Sequence, residues 1–305
     1  LTRPELCVLM PHTKLWLSEV LLESDLPDDP TFAADLAEYF PKPLREEFAD
    51  GIAKHRLRRE LVAMLVTNDL VNRMGAAAFA RLTDETGAEL AAIARAGMVA
   101  RAAYGLPALY DAIEQASVTE AVRIGWLLDL RRLQIGVARR LAGDPRPAAA
   151  AIAELLPAVA ALTPEGGTLG ARIEAVAQLG AAPDILVLSR DASLALPRAG
   201  AVWDAVAEGF ALDRLRAATA AVDLRGRFAG RALSAVADDL AALQRRLAGA
   251  VLAGSDGASP GEAVARFRAA AGPRAAAAAA LVDEAAAAPD LAAVVVAARA
   301  LSALA

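Results

Sequence analysis

Residues 40–73 read FPKPLREEFADGIAKHRLRRELVAMLVTNDLVNR, with apolar side chains recurring at three- and four-residue steps. An α-helix turns that spacing onto one face, so the stretch predicts a long amphipathic helix from residue 44 to about residue 75. Leu57, Leu61 and Met64 define the face, and its next positions are Asn68 and Asn72. Asparagine is a poor mid-helix residue and needs hydrogen-bond partners when buried. The far end of this helix is therefore the first candidate site. Asn68 and Asn72 lie on the stripe, and Asp69 and Arg73 are spaced to pair across one turn on its flank. Buried asparagines can fix helix register, as a polar residue does in a coiled-coil seam. The functional alternative is a subunit contact or a polar pocket for a small effector. Register is the preferred reading of the two.

The rest of the chain carries the same helical signal. Hydrophobic residues are 56% of the sequence and aromatics only 4%, with alanine dominant. Alanine is the best helix former, and β-branched and aromatic residues are scarce, so the expected fold is all-α, a multi-helix bundle array. Its cores should be thin, because alanine lets helices approach closely while burying little area. Thr2-Arg3-Pro4-Glu5 and Ser259-Pro260-Gly261-Glu262 have the form of capping boxes. The first opens a helix over about 3–23, in which Pro11 predicts a kink or break. Further helices are expected at 32–38, 76–85, 89–103, 106–115 and 118–141. Beyond them come 148–162, 169–179, 183–194, 197–209, 212–220, 224–252 and 260–285, then a terminal helix from Pro289. Gly254–Ala258 reads as a loop. The segment Gly143-Asp144-Pro145-Arg146-Pro147 is the strongest helix stop, and it divides the chain into two expected helical subdomains, 1–143 and 144–305. No fixed-period repeat is visible.

Chemistry is hard to find in these residues. The 37 acidic and 32 basic residues are interspersed, giving a net charge of −5 and no general field for nucleic acid or an acidic membrane. One cysteine, Cys7, fits a reducing compartment such as the cytoplasm, and with two histidines it cannot assemble the usual zinc site. The most apolar window, 147–164, is interrupted by Glu154 and Pro157, so a membrane span is not expected, and no signal peptide is visible. The dinucleotide glycine fingerprint, the Walker-type loop, the zincin helix and the nucleophile elbow are absent. Gly166-Gly167-Thr168-Leu169-Gly170 precedes a helix but follows no predicted strand, and reads as a turn between helices. His55 lies in the basic run Lys54–Arg59, which could face phosphates but more often forms a solvated face. His12 follows Pro11 and has no acidic neighbour. Trp16, Trp126 and Trp203 each suit a helix core position. No catalytic, cofactor-binding or metal-binding residue is assigned.

A family resemblance enters through three segments: Leu1-Thr2-Arg3-Pro4-Glu5-Leu6, Ser24-Asp25-Leu26-Pro27-Asp28-Asp29-Pro30 and Tyr39-Phe40-Pro41-Lys42-Pro43-Leu44-Arg45. Together with His55–Glu60 and Asn68–Arg73, they resemble the large bacterial NAD-specific glutamate dehydrogenases. The likeness continues more weakly at Trp126–Arg132 and from Asp238 to Ala250. Pro11 and His12 depart from the family pattern. The resemblance implies that this is the C-terminal helical region, following the catalytic domain of a longer polypeptide. The start at Leu1, directly in a helix pattern, agrees with a fragment. It also implies a parent that deaminates L-glutamate oxidatively with NAD, whose catalytic and cofactor residues lie outside this sequence, so that the fragment alone is inactive. The catalytic domain of the same polypeptide, a homo-oligomer and a small amino-acid effector are the implied partners. Nucleic acid and membrane are not. The rival reading is a free-standing helical interaction scaffold.

Overall fold

The computed structural model describes residues 2–223, 225, 228–255 and 257–305. The start of the expected 224–252 helix, Leu1 of the first family-like segment and Asp256 of the expected loop lie outside the described residues. Every regular element among those described is helical. Two compact units divide the chain, Leu1–Gly180 and Ala181–Ala305.

In the first unit, α1 spans Arg3–Glu23, followed by 3-10 turns at Leu26–Asp28 and Pro30–Phe32. Next come α2 (Ala33–Tyr39), α3 (Lys42–Glu47), α4 (Ala49–Ala53), α5 (Arg58–Met74), α6 (Ala76–Thr86) and α7 (Leu90–Ala103). The unit closes with α8 (Leu106–Gln115), α9 (Glu120–Leu141), α10 (Ala148–Leu162) and α11 (Leu169–Gln178). Helix α7 is its centre, packed by α5, α9 and α10. Its Ile93, Ala94 and Ala100 are fully buried. Gly97 lets α5 approach closely: a Cβ there would lie 3.0 Å from Leu70 Cδ2. Because α10 packs on α7, the first unit runs through the Pro147 segment, and the units divide beyond the 143/144 stop that the prolines mark. That segment is instead a corner within the unit, pinned by Arg146, which pairs with Asp144 at 2.6 Å and also with Glu154.

The second unit holds α12 (Ala182–Asp191), α13 (Leu196–Gly209), α14 (Leu212–Ala221) and α15 (Ala229–Ala253). It is completed by α16 (Pro260–Ala271), α17 (Pro273–Ala287) and α18 (Leu291–Ser302). α13 and α18 both pack on α15.

Three expectations about helices are corrected. The long helix over 44–75 is three pieces, because Phe48 (φ −122°, ψ 33°) and Leu57 (φ −100°, ψ 28°) leave helical geometry. Tertiary contacts anchor the helix start at the second break: Arg59 donates to the carbonyls of Leu22 (2.7 Å) and Ser24 (3.1 Å), and Arg58 pairs with Asp28. The core face of α5 also differs from the expected one, since Leu61 and Met64 lie on its flank. The buried stripe of α5 is Val62, Val66, Leu70 and Met74, with Ala63, Thr67 and Val71 beside them, while Leu57 is exposed. Second, α1 runs unbroken through Pro11. The proline withholds a donor from the Cys7 carbonyl, and Cys7 is on the exposed surface, where water can take that bond. Third, the helix expected over 260–285 breaks at Gly272, whose φ of 53° suits glycine, with Pro273 starting the next helix.

Both capping boxes form. Thr2 and Glu5 exchange side-chain to backbone hydrogen bonds, as do Ser259 and Glu262. Trp203 is buried as expected, but Trp16 is 43% exposed.

Candidate functional site

The polar end of α5 lies where this helix meets α7 and α9. With the buried stripe on the neighbouring face, Asn68 is half-buried at the edge of the core and Asn72 is exposed. Asp69 and Arg73 each turn to a different helix. The Asp69 carboxylate lies 3.3 Å from Nε of Arg101 on α7, and the other end of that guanidinium holds Asp35 of α2 at 2.9 Å. The Asp69 contact is an ion pair without hydrogen-bond alignment, since neither Asp69 Oδ2 nor Arg101 Nε has a hydrogen-bond partner although both atoms are buried. Arg73 stacks over the ring of Tyr110 on α8, 3.9 Å from its centre, and reaches Glu114 at 3.6 Å.

From Tyr110 the network runs inward. Its hydroxyl donates to Gln134 Oε1 at 3.4 Å, and Gln134 Nε2 donates to the Gly97 carbonyl at 3.1 Å. Gln134 is fully buried. A carbonyl in mid-helix is already bonded within its helix, so this second bond uses its remaining lone pair and ties α9 to α7.

Electrostatics define what this junction can do. Burial is the largest influence on Asp69 and raises its carboxyl above the ordinary value. The positive charges of Arg101 and Arg73 oppose that, and Asp35 adds to it. Burial also pushes the Tyr110 hydroxyl up to about 12, keeping it protonated at neutral pH. A carboxylate matched by two guanidinium groups and a phenol held in its neutral form make a lock between helices, suited to positioning rather than to passing protons.

The remaining sequence candidates resolve simply. His55 lies in the turn before α5, where its Nδ1 accepts the Leu57 N–H at 3.1 Å. Half of its basic neighbours, Arg58 and Arg59, are committed to Asp28. Thr168 of the glycine-rich loop caps α11 by accepting the Ala171 N–H. His12 is exposed on α1. An open groove of about 630 Å³ between α9 and α11 is bordered by Trp126, Asp129, Arg132, Arg140, Gly170 and Glu174. Its two acids balance its two bases, so it offers no net field to a charged ligand. Among the described residues, no group of three or more His, Cys, Asp or Glu is placed to hold a metal ion, and no helix is long and apolar enough to cross a membrane.

Gln134 was not among the sequence candidates, although its signal was present. It falls four residues after Leu130 and three before Val137, on the buried face of α9. Gln244 is its counterpart in the second unit, fully buried on α15, with Nε2 donating to the Trp203 carbonyl at 2.8 Å.

Together these features define a helical module organised around packing junctions. Residues 1–169 and 166–303 match the family model described as glutamate dehydrogenase, C-terminal. The chain belongs to that family. It is 44% identical over 135 residues to the NAD-specific glutamate dehydrogenase of Halomonas elongata, an alignment covering 44% of this chain and 8% of that protein. The proteins of the same name from Pseudomonas aeruginosa and Mycobacterium tuberculosis are 37% and 38% identical over 166 and 167 residues, covering 49% and 54% of this chain. The aligned stretch is 10% of each of these proteins, so the chain spans about a tenth of the length of the curated relatives it matches.

Proposed function

We propose that this chain works as the C-terminal helical segment of an NAD-dependent glutamate dehydrogenase, and that it serves assembly or regulation rather than chemistry. The parent reaction is then the removal of hydride from L-glutamate by NAD, with water yielding 2-oxoglutarate and ammonia. The observation that carries this reading is the family match, which extends over nearly the whole chain. The charged junction supports the second half of the proposal, since Asp69 and Asp35 balance Arg101 and Arg73 instead of facing an open reaction site. The catalytic part of the same polypeptide is the proposed partner, within a homo-oligomer in the cytoplasm. Asn68, Asp69, Asn72 and Arg73 are proposed as interface or register residues, and an amino-acid effector has no residue assigned to it. No observation favours the free-standing scaffold.

Removing residues corresponding to 1–305 from the full enzyme tests this. Its oligomer should dissociate or its response to effectors should change, as read by light scattering and steady-state kinetics. A truncated enzyme with the same oligomer and the same kinetics would refute the assembly role. Glutamate-dependent NAD reduction by the 305-residue chain alone would refute the division of labour.

A further inference from the structure

The core-facing stripe of α1 continues past the point where the first unit stops covering it. Thr13, Leu17 and Leu21 are buried and lie on one face of the helix. Counting back by threes and fours, Leu6, Leu9 and Met10 extend that face, and Trp16 flanks it. These four side chains are 38–43% exposed, and residues 2–12 are exposed throughout. The same turns contain Pro11, which removes one helix hydrogen bond. These exposed turns, with one helix hydrogen bond missing, gain little packing stability from the first unit. A helical stripe of this kind is completed by a surface that covers it.

We propose that Leu6, Leu9, Met10 and Trp16 of α1 seat an apolar surface of the same polypeptide lying outside these 305 residues. This inference rests on the reading of the chain as one segment of a larger dehydrogenase. The stripe is continuous with the packing face at Leu17 and Leu21, so the occupant packs at the depth of the unit's own helices. Relatives are about ten times as long as the matched stretch, which leaves ample tethered surface to supply it. A tethered partner docks at high effective concentration and needs little area. A second copy is the weaker occupant, because four half-exposed side chains offer only a few hundred Å² against about 800 Å² per partner in a stable dimer. The occupant is apolar and helical or flat, matched to leucine, methionine and tryptophan.

The test is photo-crosslinking in the full enzyme, with p-benzoylphenylalanine placed at Leu9 and, as a control on the opposite face, at Leu15. The expected result is a Leu9 adduct to sequence outside the 305 residues, in a species of single-subunit mass, with little or no adduct from Leu15. An adduct joining two subunits overturns the proposal in favour of a self-interface, and equal or absent crosslinking at the two positions overturns it outright. In the same enzyme, Met10→Glu should raise hydrogen exchange at residues 3–12 by about tenfold or more, the mark of a locally opened segment. Unchanged exchange there would also overturn the proposal. The crosslink reads the surface whether or not truncation alters assembly, so failure of the assembly role and failure of this docking surface remain distinguishable.

Discussion

Asp69 is placed between opposing influences, and the balance has a sign that can be measured. Burial raises its carboxyl above the ordinary value near 3.8, and the guanidinium groups of Arg101 and Arg73 recover only part of that cost. The folded state therefore holds the proton more tightly than the unfolded state. The contribution of Asp69 to stability is complete below the unfolded value and is lost as pH rises through the folded one. Asp69→Asn cannot ionise, so its stability relative to the parent chain should improve between pH 3 and pH 7. Urea unfolding at several pH values checks this, and a relative stability that falls with rising pH would sink it. Glu5 and Glu262 behave oppositely. Hydrogen bonds from Thr2 and Ser259 hold them low, so their contributions are present above the ordinary value and are lost as the medium is acidified. Gln134 has no charge but more is at stake. Gln134→Ala strands the Tyr110 hydroxyl in the interior and removes the tie to Gly97. It should cost about 1–3 kcal/mol in urea unfolding.

Helix contacts in this alanine-rich chain depend on close approach, which makes small residues decisive between elements. A Cβ on Gly97 would meet Leu70 Cδ2 at 3.0 Å and Met74 Sδ at 3.1 Å, both ends of flexible side chains that can shift. A Cβ on Gly209 of α13 would overlap Val264 of α16, whose branched side chain has few alternatives. Gly97→Ala should therefore cost about 1 kcal/mol and Gly209→Ala about 3 kcal/mol, within the range for overpacked cores. Thermal unfolding of the two variants gives the order, and a larger loss at Gly97 would contradict it. The same contrast explains what could be read from the sequence. Local chemistry was legible: Thr2-Glu5 and Ser259-Glu262 announced their helix starts, and Gly272-Pro273 marked a stop that the alanine run after it obscured. The break at Leu57 was not legible, because it accompanies Arg59 reaching the Leu22 and Ser24 carbonyls far away in sequence. Leu61 and Met64 mark only the flank of α5, and taking them for its core face made Asn68 and Asn72 seem to lie there too. Asp69 was visible as a candidate, but its partner Arg101 was one arginine among many until the fold placed it.

Each of the two units contains the same structural device. In the first, the long helix α9 carries a buried glutamine that bonds the Gly97 carbonyl of α7 and accepts from Tyr110. In the second, the long helix α15 carries Gln244, which bonds the Trp203 carbonyl of α13 and accepts from Arg216. An amide in an otherwise apolar seam admits one alignment of the two helices, because any slip leaves buried donors and acceptors unpaired. Thin alanine cores need such a device more than thick ones do, since alanine contacts at neighbouring registers differ little in buried area. Each unit also has an apolar core of its own, from Leu17 to Val176 in the first and from Ala182 to Leu301 in the second. Cooperative opening should then follow unit boundaries. Gln134→Ala is expected to speed native-state hydrogen exchange in α7 and α9 while leaving α13 and α15 at parent rates, and Gln244→Ala to do the converse. If either substitution accelerates exchange equally in both sets of helices, the 305 residues open as one body, and the glutamines are local contacts within a single cooperative core.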